Sequence, residues 1–413
     1  MEVEILGSGQ EVGKSAIVVS DDKTKLLLDY GVKIQPEPPT YPLRPKKLDA
    51  VILSHAHLDH SGGLPILYKK WKYPCFMTDA TFDLATLLIM DSLRVAKKQG
   101  FGVPFTKNDL KIMTKNTKLV HYNEHFKIGK FSCQLYDAGH IPGSAGILLD
   151  NGKKIFYTGD IQTEDTRLLR GCRLPEKVDV LITESTYGNR QRAERENDEK
   201  LFLQSINDVL AREEIALIPV FAVGRAQEIL LILENYAKKI ALDGMAKTAS
   251  DLISYYDAYL RDAKKLRSIL KHVHWIRTQE EREKALRLYP IIVTSAGMLG
   301  GGPAIHYLRG IQKRAESKVI FTGFLVEDSP GRNLIRTNIF QTVEEKFHVQ
   351  CQLEQFELSA HADRSGLLEI IDRVKPEQII CVHGEETEKF AKGIEEGLGI
   401  PAYAPKNGEI VKI

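Results

Sequence analysis

Three imidazoles and a carboxylate are packed into six consecutive residues, His55-Ala56-His57-Leu58-Asp59-His60, directly after the apolar run LDAVILS. Side chains two apart in an extended segment point the same way, so His55 and His57 can grip one ion. Asp59 and His60 then face a second position. Imidazole mixed with carboxylate suits zinc or a similar first-row metal, whereas an all-oxygen set would suggest magnesium or calcium. Two metals need more ligands than these four. His140 in DAGHIPGSAG, Asp160 in YTGD and His383 in CVHGEE can supply them. The plain alternative for the cluster is a solvated polar loop, for His140 a capped loop histidine, and for Asp160 a turn residue after Gly159. Their order along the chain favours a metal site. His121, His125, His272, His274, His306 and His348 lie outside these motifs and read as surface or core histidines.

The elements around these residues are legible in outline. VEIL at 3–6, AIVVS at 16–20 and KLLLD at 25–29, with glycines between, predict a β-meander. LDAVILS predicts a buried strand ending at the histidine cluster, and LPILYKKW and FDLATLLIMDSLRVAKK carry helical periodicity. Strand patterns follow at KLVHY, FSCQLYDAG, AGILLD, KKIFYTGD and VDVLITEST. Each polar candidate sits just beyond a strand. After the charged stretch NRQRAERENDEK at 189–200, strands and helices alternate: EKLFLQSINDVLAR, IALIPV, AQEILLILENYAKK, the long helical stretch SDLISYYDAYLRDAKKLRSIL, PIIVTSA, PAIHYLRGIQKR and KVIFTG. That rhythm predicts a parallel α/β sheet. From residue 348 long strand patterns return, then a helix at 365–373 and the strand QIICVHG. The simplest topology treats 187–345 as an insertion into a domain made of 1–186 and 346–413.

At 413 residues the chain suits two domains of roughly 150–200 residues. With 43% hydrophobic and 27% charged residues, both should bury real cores. Fifty-seven lysines and arginines nearly cancel 55 acids, so any polyanion site must be local. Five cysteines, widely spaced and without CxxC, argue against a disulfide framework or a zinc ribbon and fit a reducing cytoplasm. Neither a signal peptide nor a membrane span is indicated.

HxHxDH, a later histidine in a GHxxGS-like turn and TGD resemble, in that order, the motifs of the metallo-β-lactamase superfamily. The resemblance implies that His55, His57 and His140 hold one zinc, that Asp59, His60 and His383 hold the other, and that Asp160 bridges them. Asp29, ending KLLLD, would orient the histidine loop without binding metal. Glu184 in TESTYG, His361 in LSAHAD and His383 in VHGEE look like the extra motifs of the β-CASP group, which inserts a domain into this fold. That group includes RNase J and the nuclease subunit of the eukaryotic cleavage and polyadenylation factor. PVFAVGRAQE at 219–228 and SAGMLGGGPA at 295–304 are similar to its inserted domain, so the resemblance covers nearly the whole chain. The implied fold is an α/β metallo-β-lactamase αββα sandwich carrying an inserted parallel-sheet β-CASP domain. Members of the group that act on DNA usually have a small apolar residue where His383 stands, which points to RNA.

The implied function is a zinc-dependent ribonuclease hydrolysing single-stranded RNA with two metal ions, with manganese the alternative metal and internal cleavage favoured, in RNA processing or decay. A leaving oxygen needs a proton, and His361 is the candidate donor, held by Glu184; Asp59 joins this catalytic set. Ser359, Arg225 in VGRAQE and Arg332 in SPGRN are candidate phosphate contacts. Each has a plain reading too: Ser359 as the cap of the next helix, the arginines as surface residues. Tyr187 and Phe221 suit either a base or the core, and the basic runs RPKK at 44–47 and NRQRAER at 189–195 read first as solvated faces. The competing functions are a 5′-to-3′ exoribonuclease, a small-molecule hydrolase of the same fold and an inactive scaffold. A homodimer through AYAP and EIVKI, or a place in an RNA-processing complex, is compatible with the sequence.

Overall fold

The short apolar segments Glu2–Gly7, Ala16–Ser20 and Lys25–Leu28, separated by turns, form the antiparallel meander the sequence predicts. The computed structural model describes residues 1–35, 38–100 and 102–413. Those described residues divide into two units, the first comprising 1–165, 170–191 and 361–413, the second 166–169 and 192–360.

The first unit holds two seven-stranded sheets. One runs from Ile410–Lys412 through the three opening strands to Ala50–Ile52, Cys75–Met77 and Thr117–Leu119. The other runs from Ala402–Tyr403 through Gln378–Val382, Val180–Glu184, Lys154–Tyr157, Ala145–Asp150 and Phe131–Asp137 to His125–Ile128. The inward side chains of both meet in one buried cluster that includes Ile5, Ile17, Leu28 and Ile52 from one sheet and Leu135, Ile147, Ile182 and Val382 from the other. Each such side chain contributes about 1.5–3 kcal/mol when fully buried. On the outer face of the second sheet, Leu367, Ile370, Phe390 and Ile394 from helices Arg364–Val374 and Thr387–Leu398 close a second cluster. Beside the first sheet's strands, helix Asp79–Gln99 packs against helices Leu58–Ser61 and Lys107–Lys115, its start capped by Thr78 accepting from the Thr81 amide. The result is an αββα sandwich. The C-terminal strands AYAP and EIVKI, candidates for a dimer contact, pair within the chain with Gln378–Val382 and Glu2–Gly7.

The second unit is built on six parallel strands in the order His274–Trp275, Ile240–Asp243, Ile291–Thr294, Ala216–Pro219, Lys318–Phe321 and Gln352–Gln355. The chain leaves the first unit after Gln191 and returns at His361. Gln352–Gln355 bonds in parallel to Lys318–Phe321 and so extends the second unit's sheet. The long helical stretch from 250 is broken into Met245–Ile253, a 3₁₀ turn at Asp257–Tyr259 and Ala263–Leu270, because Asp262 caps a new helix start by accepting from the Lys265 amide. Ile240–Asp243, hidden to the sequence behind a helical pattern, is a fully buried strand.

Candidate metal centre

Strand Ala50–Ile52 delivers the histidine cluster, and the chain turns into a short helix at Leu58–Ser61 with His57 as its first flanking residue. His140 follows strand Phe131–Asp137, in a turn where the Ser144 hydroxyl accepts from the His140 and Ile141 amides. Gly143 lies at φ +83, and a Cβ there would stand 2.7 Å from the Thr78 hydroxyl, so only glycine fits this turn. Asp160 follows Lys154–Tyr157, and His383 follows Gln378–Val382. All of these belong to the first unit.

The side chains converge as two overlapping sets. Ligand atoms of His55, His57, His140 and Asp160 lie within 4.8 Å of one another, as do those of Asp59, His60, Asp160 and His383. Asp160 turns one oxygen to each set: Oδ2 lies 3.4 Å from His55 Nε2 and 3.6 Å from His140 Nε2, and Oδ1 lies 3.2 Å from His60 Nε2 and 3.5 Å from His383 Nδ1. His57 Nδ1 stands 3.1 Å from His140 Nε2, and His383 Nε2 stands 3.4 Å from Asp59 Oδ2. Buried polar atoms normally find a partner, yet His55 Nε2 and Asp160 Oδ1 have no hydrogen bond. An orphaned nitrogen and an orphaned oxygen within these sets fit cations, and the mixed donor set fits first-row metals.

The charges are strongly coupled. Burial opposes charging His60, but the Asp160 and Asp29 carboxylates outweigh it and hold its pKa well above the usual range. Burial, then the positive charge of His60, push His55 well below it. Burial opposes ionising Asp160 as well, and the surrounding imidazoles, His60 foremost, still hold its pKa down.

Asp29, fully buried, supports the histidine loop without joining either set. It accepts from the Ser54 amide and hydroxyl at 2.7 Å each, from Tyr157 Oη at 2.8 Å and from His60 Nδ1 at 2.7 Å. Asp29 sits at φ +61 and His383 at φ +50, left-handed conformations rare for side-chain-bearing residues and costly unless the surroundings fix them. We expect Asp29→Asn to weaken metal binding by about 10–100-fold, measured by competition with a chelating indicator, because it removes the charge opposite His60 and keeps the turn. Ser54 and Tyr157 escaped the sequence reading; both adjoin its motifs, but only the fold aims their hydroxyls at Asp29.

Beside the two sets, Glu184 and His361 form a third group with Asp160. Both Glu184 oxygens face His361 Nδ1, at 2.9 and 3.0 Å, and Oε1 also accepts from the Ile161 amide at 2.8 Å. His361 Nε2 lies 4.0 Å from Asp160 Oδ2. Burial works against the imidazolium, but Glu184 and then Asp160 raise the His361 pKa above its usual value. The Gln162 amide donates to the His361 carbonyl at 2.9 Å, and the buried Tyr187 ring lies 6.2 Å away, so Tyr187 belongs to the packing.

Ser359, Arg225 and Arg332 belong to the second unit. Ser359 is buried, and its carbonyl accepts from Arg192 and Arg195; the helix after it is capped by Asp363. Arg225 opens helix Arg225–Ile232. Arg332 stands in the first turn of helix Pro330–Thr337, with Nε 3.3 Å from Glu327.

Asp137, closing the strand that leads to His140, carries a stability signature. Burial pushes its carboxyl up from 3.8 to about 6, against the Gly139 amide and Arg173. A carboxyl whose pKa is raised by folding costs stability while ionised, so the cost is full above about pH 6 and fades as pH falls towards 3.8. Asp137→Asn, which keeps an acceptor for Gly139, should therefore be more stable than the wild type by about 1–3 kcal/mol at pH 8 and equal to it near pH 4, by thermal unfolding.

An αββα sandwich with paired histidine–aspartate ligand sets at the strand ends defines a metallo-β-lactamase-fold hydrolase. Residues 346–405 match the family described as a Zn-dependent metallo-hydrolase RNA specificity domain, residues 226–334 match the Beta-Casp domain, and residues 1–187 match the anti-Pycsar protein Apyc1 family. Probable RNase MJ4 of Methanocaldococcus jannaschii is 39% identical over 100% of both chains. RNase aCSPSF2 of Saccharolobus solfataricus is 31% identical over 100% of this chain and 85% of its own, and the M. jannaschii transcription termination factor FttA is 34% identical over 100% and 72%. A crystal structure of a protein of unknown function from Enterococcus faecalis V583 shares the fold, with TM-score 0.61 at 16% identity, over 100% of this chain and 99% of that one. The chain belongs to the β-CASP family of metallo-β-lactamase-fold ribonucleases.

Proposed function

We propose that this protein cleaves single-stranded RNA internally, using two zinc ions, one at each ligand set, with Asp160 between them. The observation that carries the reading is the split of the Asp160 oxygens between the two histidine sets. A phosphodiester resists attack because its anionic oxygens repel a nucleophile and its alkoxide leaves poorly. Bound there, the ions would supply positive charge against the phosphate and acidify water. The chain's own part is to orient and to move a proton. Glu184 fixes the proton of His361 on Nδ1 and stabilises the imidazolium, so that Nε2 can deliver a proton to the departing oxygen. Asp29 keeps His60 turned towards Asp160. Ser359, Arg225 and Arg332 are the proposed contacts to RNA phosphates, and the units are proposed as the metallo-β-lactamase and β-CASP domains.

Two relatives are named RNases and a third a transcription termination factor, which supports RNA as the substrate class and leaves the place of action to experiment. The test is incubation with 5′-labelled and internally labelled single-stranded RNA, resolved at single-nucleotide length. Discrete internal fragments are expected. Mononucleotides released from the 5′ end alone would replace this reading by an exonuclease; intact RNA with metal-loaded protein would end it.

A further inference from the structure

The three parallel strands Ala50–Ile52, Cys75–Met77 and Thr117–Leu119 all begin at the same end of their sheet. The metal ligands sit beyond the opposite end, after Ile52. The segments entering these strands are basic. Arg44, Lys46 and Lys47 precede the first, Lys69, Lys70 and Lys72 the second, and all six are exposed. Helix Lys107–Lys115 brings Lys115 to the start of the third, where the Asn116 carbonyl accepts from the Cys75 amide. Among the described residues none of these six cations has an ion-pair partner, whereas acids pair with many other lysines and arginines of the chain. Asp49 lies in the first of these loops, and its carboxylate accepts from the Lys25 amide at 2.8 Å.

Within this rim stands Trp71, 49% exposed, its ring stacked on Tyr73 at 5.9 Å and 25°. Tyr73 is buried and its hydroxyl accepts from the Leu48 amide at 3.4 Å, which ties the two basic loops together and holds the indole's support. On a chain of net charge +2, so local an excess calls for an anionic partner, and a flat, propped, exposed ring calls for one that stacks. Single-stranded RNA offers both; a lipid headgroup or acidic protein offers charge without a stacking base.

We propose that this rim is a second RNA-binding surface, where a single-stranded segment away from the cleavage point lays its phosphates along the two basic loops and stacks a base on Trp71. The inference rests on the ribonuclease reading and deepens it: the enzyme would grip long RNA at two places and short RNA at one. The chain has two tryptophans, so Trp275→Phe leaves Trp71 as the sole indole reporter. In that protein, metal-loaded and made slow by His361→Ala, single-stranded RNA of about 30 nucleotides should quench Trp71 fluorescence, and RNA of about 4 nucleotides should do so far less. In otherwise wild-type enzyme, Trp71→Ala should raise KM for the long RNA by about 10-fold at unchanged kcat and leave the short RNA unaffected. Lys69→Gln with Lys70→Gln and Lys72→Gln should flatten the dependence of log Kd on log salt by about 2, at about 0.7 per lost phosphate contact. An enzyme that cleaves long RNA, with no Trp71 quenching and unchanged KM in these exposed-site variants, overturns the second surface and leaves the ribonuclease reading standing. Quenching by phosphatidylserine vesicles and not by RNA overturns it too, in favour of a membrane. A wild type that cleaves neither RNA removes the ribonuclease reading and this inference with it.

Discussion

His361→Ala is expected to slow RNA cleavage by about 10²–10⁴-fold while the protein keeps its full metal content. The ring makes no part of either four-residue ligand set, so removing it should leave the metal-binding atoms where they are. What disappears is a proton donor whose Nδ1 is gripped by both oxygens of Glu184. Glu184→Gln should be milder in protein stability but similar in direction, because the amide can neither favour the imidazolium nor fix its tautomer as a carboxylate does. The check is single-turnover cleavage beside metal analysis of the same preparation. Loss of metal in His361→Ala would make this residue a ligand instead.

Asp160→Ala should have the larger effect, removing both ions together and abolishing cleavage. Each of its oxygens faces two imidazoles; without them His55 and His140 lose the carboxylate that faces both, while His60 and His383 are left with Asp29 and Asp59. Histidines would then stay neutral or repel, and the sets lose their shared ligand. Metal analysis after dialysis should fall below one ion per chain. Retention of two ions would mean that Asp160 does not link the sets.

The sequence carried the histidine cluster far because its spacing is local: alternation in an extended segment already brings His55 and His57 to one side. His140, Asp160 and His383 were legible for a related reason, since each stands just past an apolar strand pattern where loops collect functional side chains. Ser54 and Tyr157 were not, because a hydroxyl becomes a support only when folding brings it to Asp29 from a neighbouring loop and the facing sheet. The partner of strand Gln352–Gln355 was hidden for another reason. Gln352–Gln355 has half-buried residues throughout, a pattern that either sheet could accept, and its hydrogen bonds to Lys318–Phe321 decide the matter. The long helical stretch near 250–270 failed where Asp262 offers a cap, a local competitor that periodicity does not register.

Cleavage is expected to depend on two ions held by the seven clustered side chains. Metal-stripped protein titrated with zinc, and in parallel with manganese, while cleavage of labelled single-stranded RNA is followed, tests it most directly. No cleavage is expected without metal, and activity should rise to saturate at two ions per chain. Full activity in the stripped protein, or saturation at one ion, would contradict it.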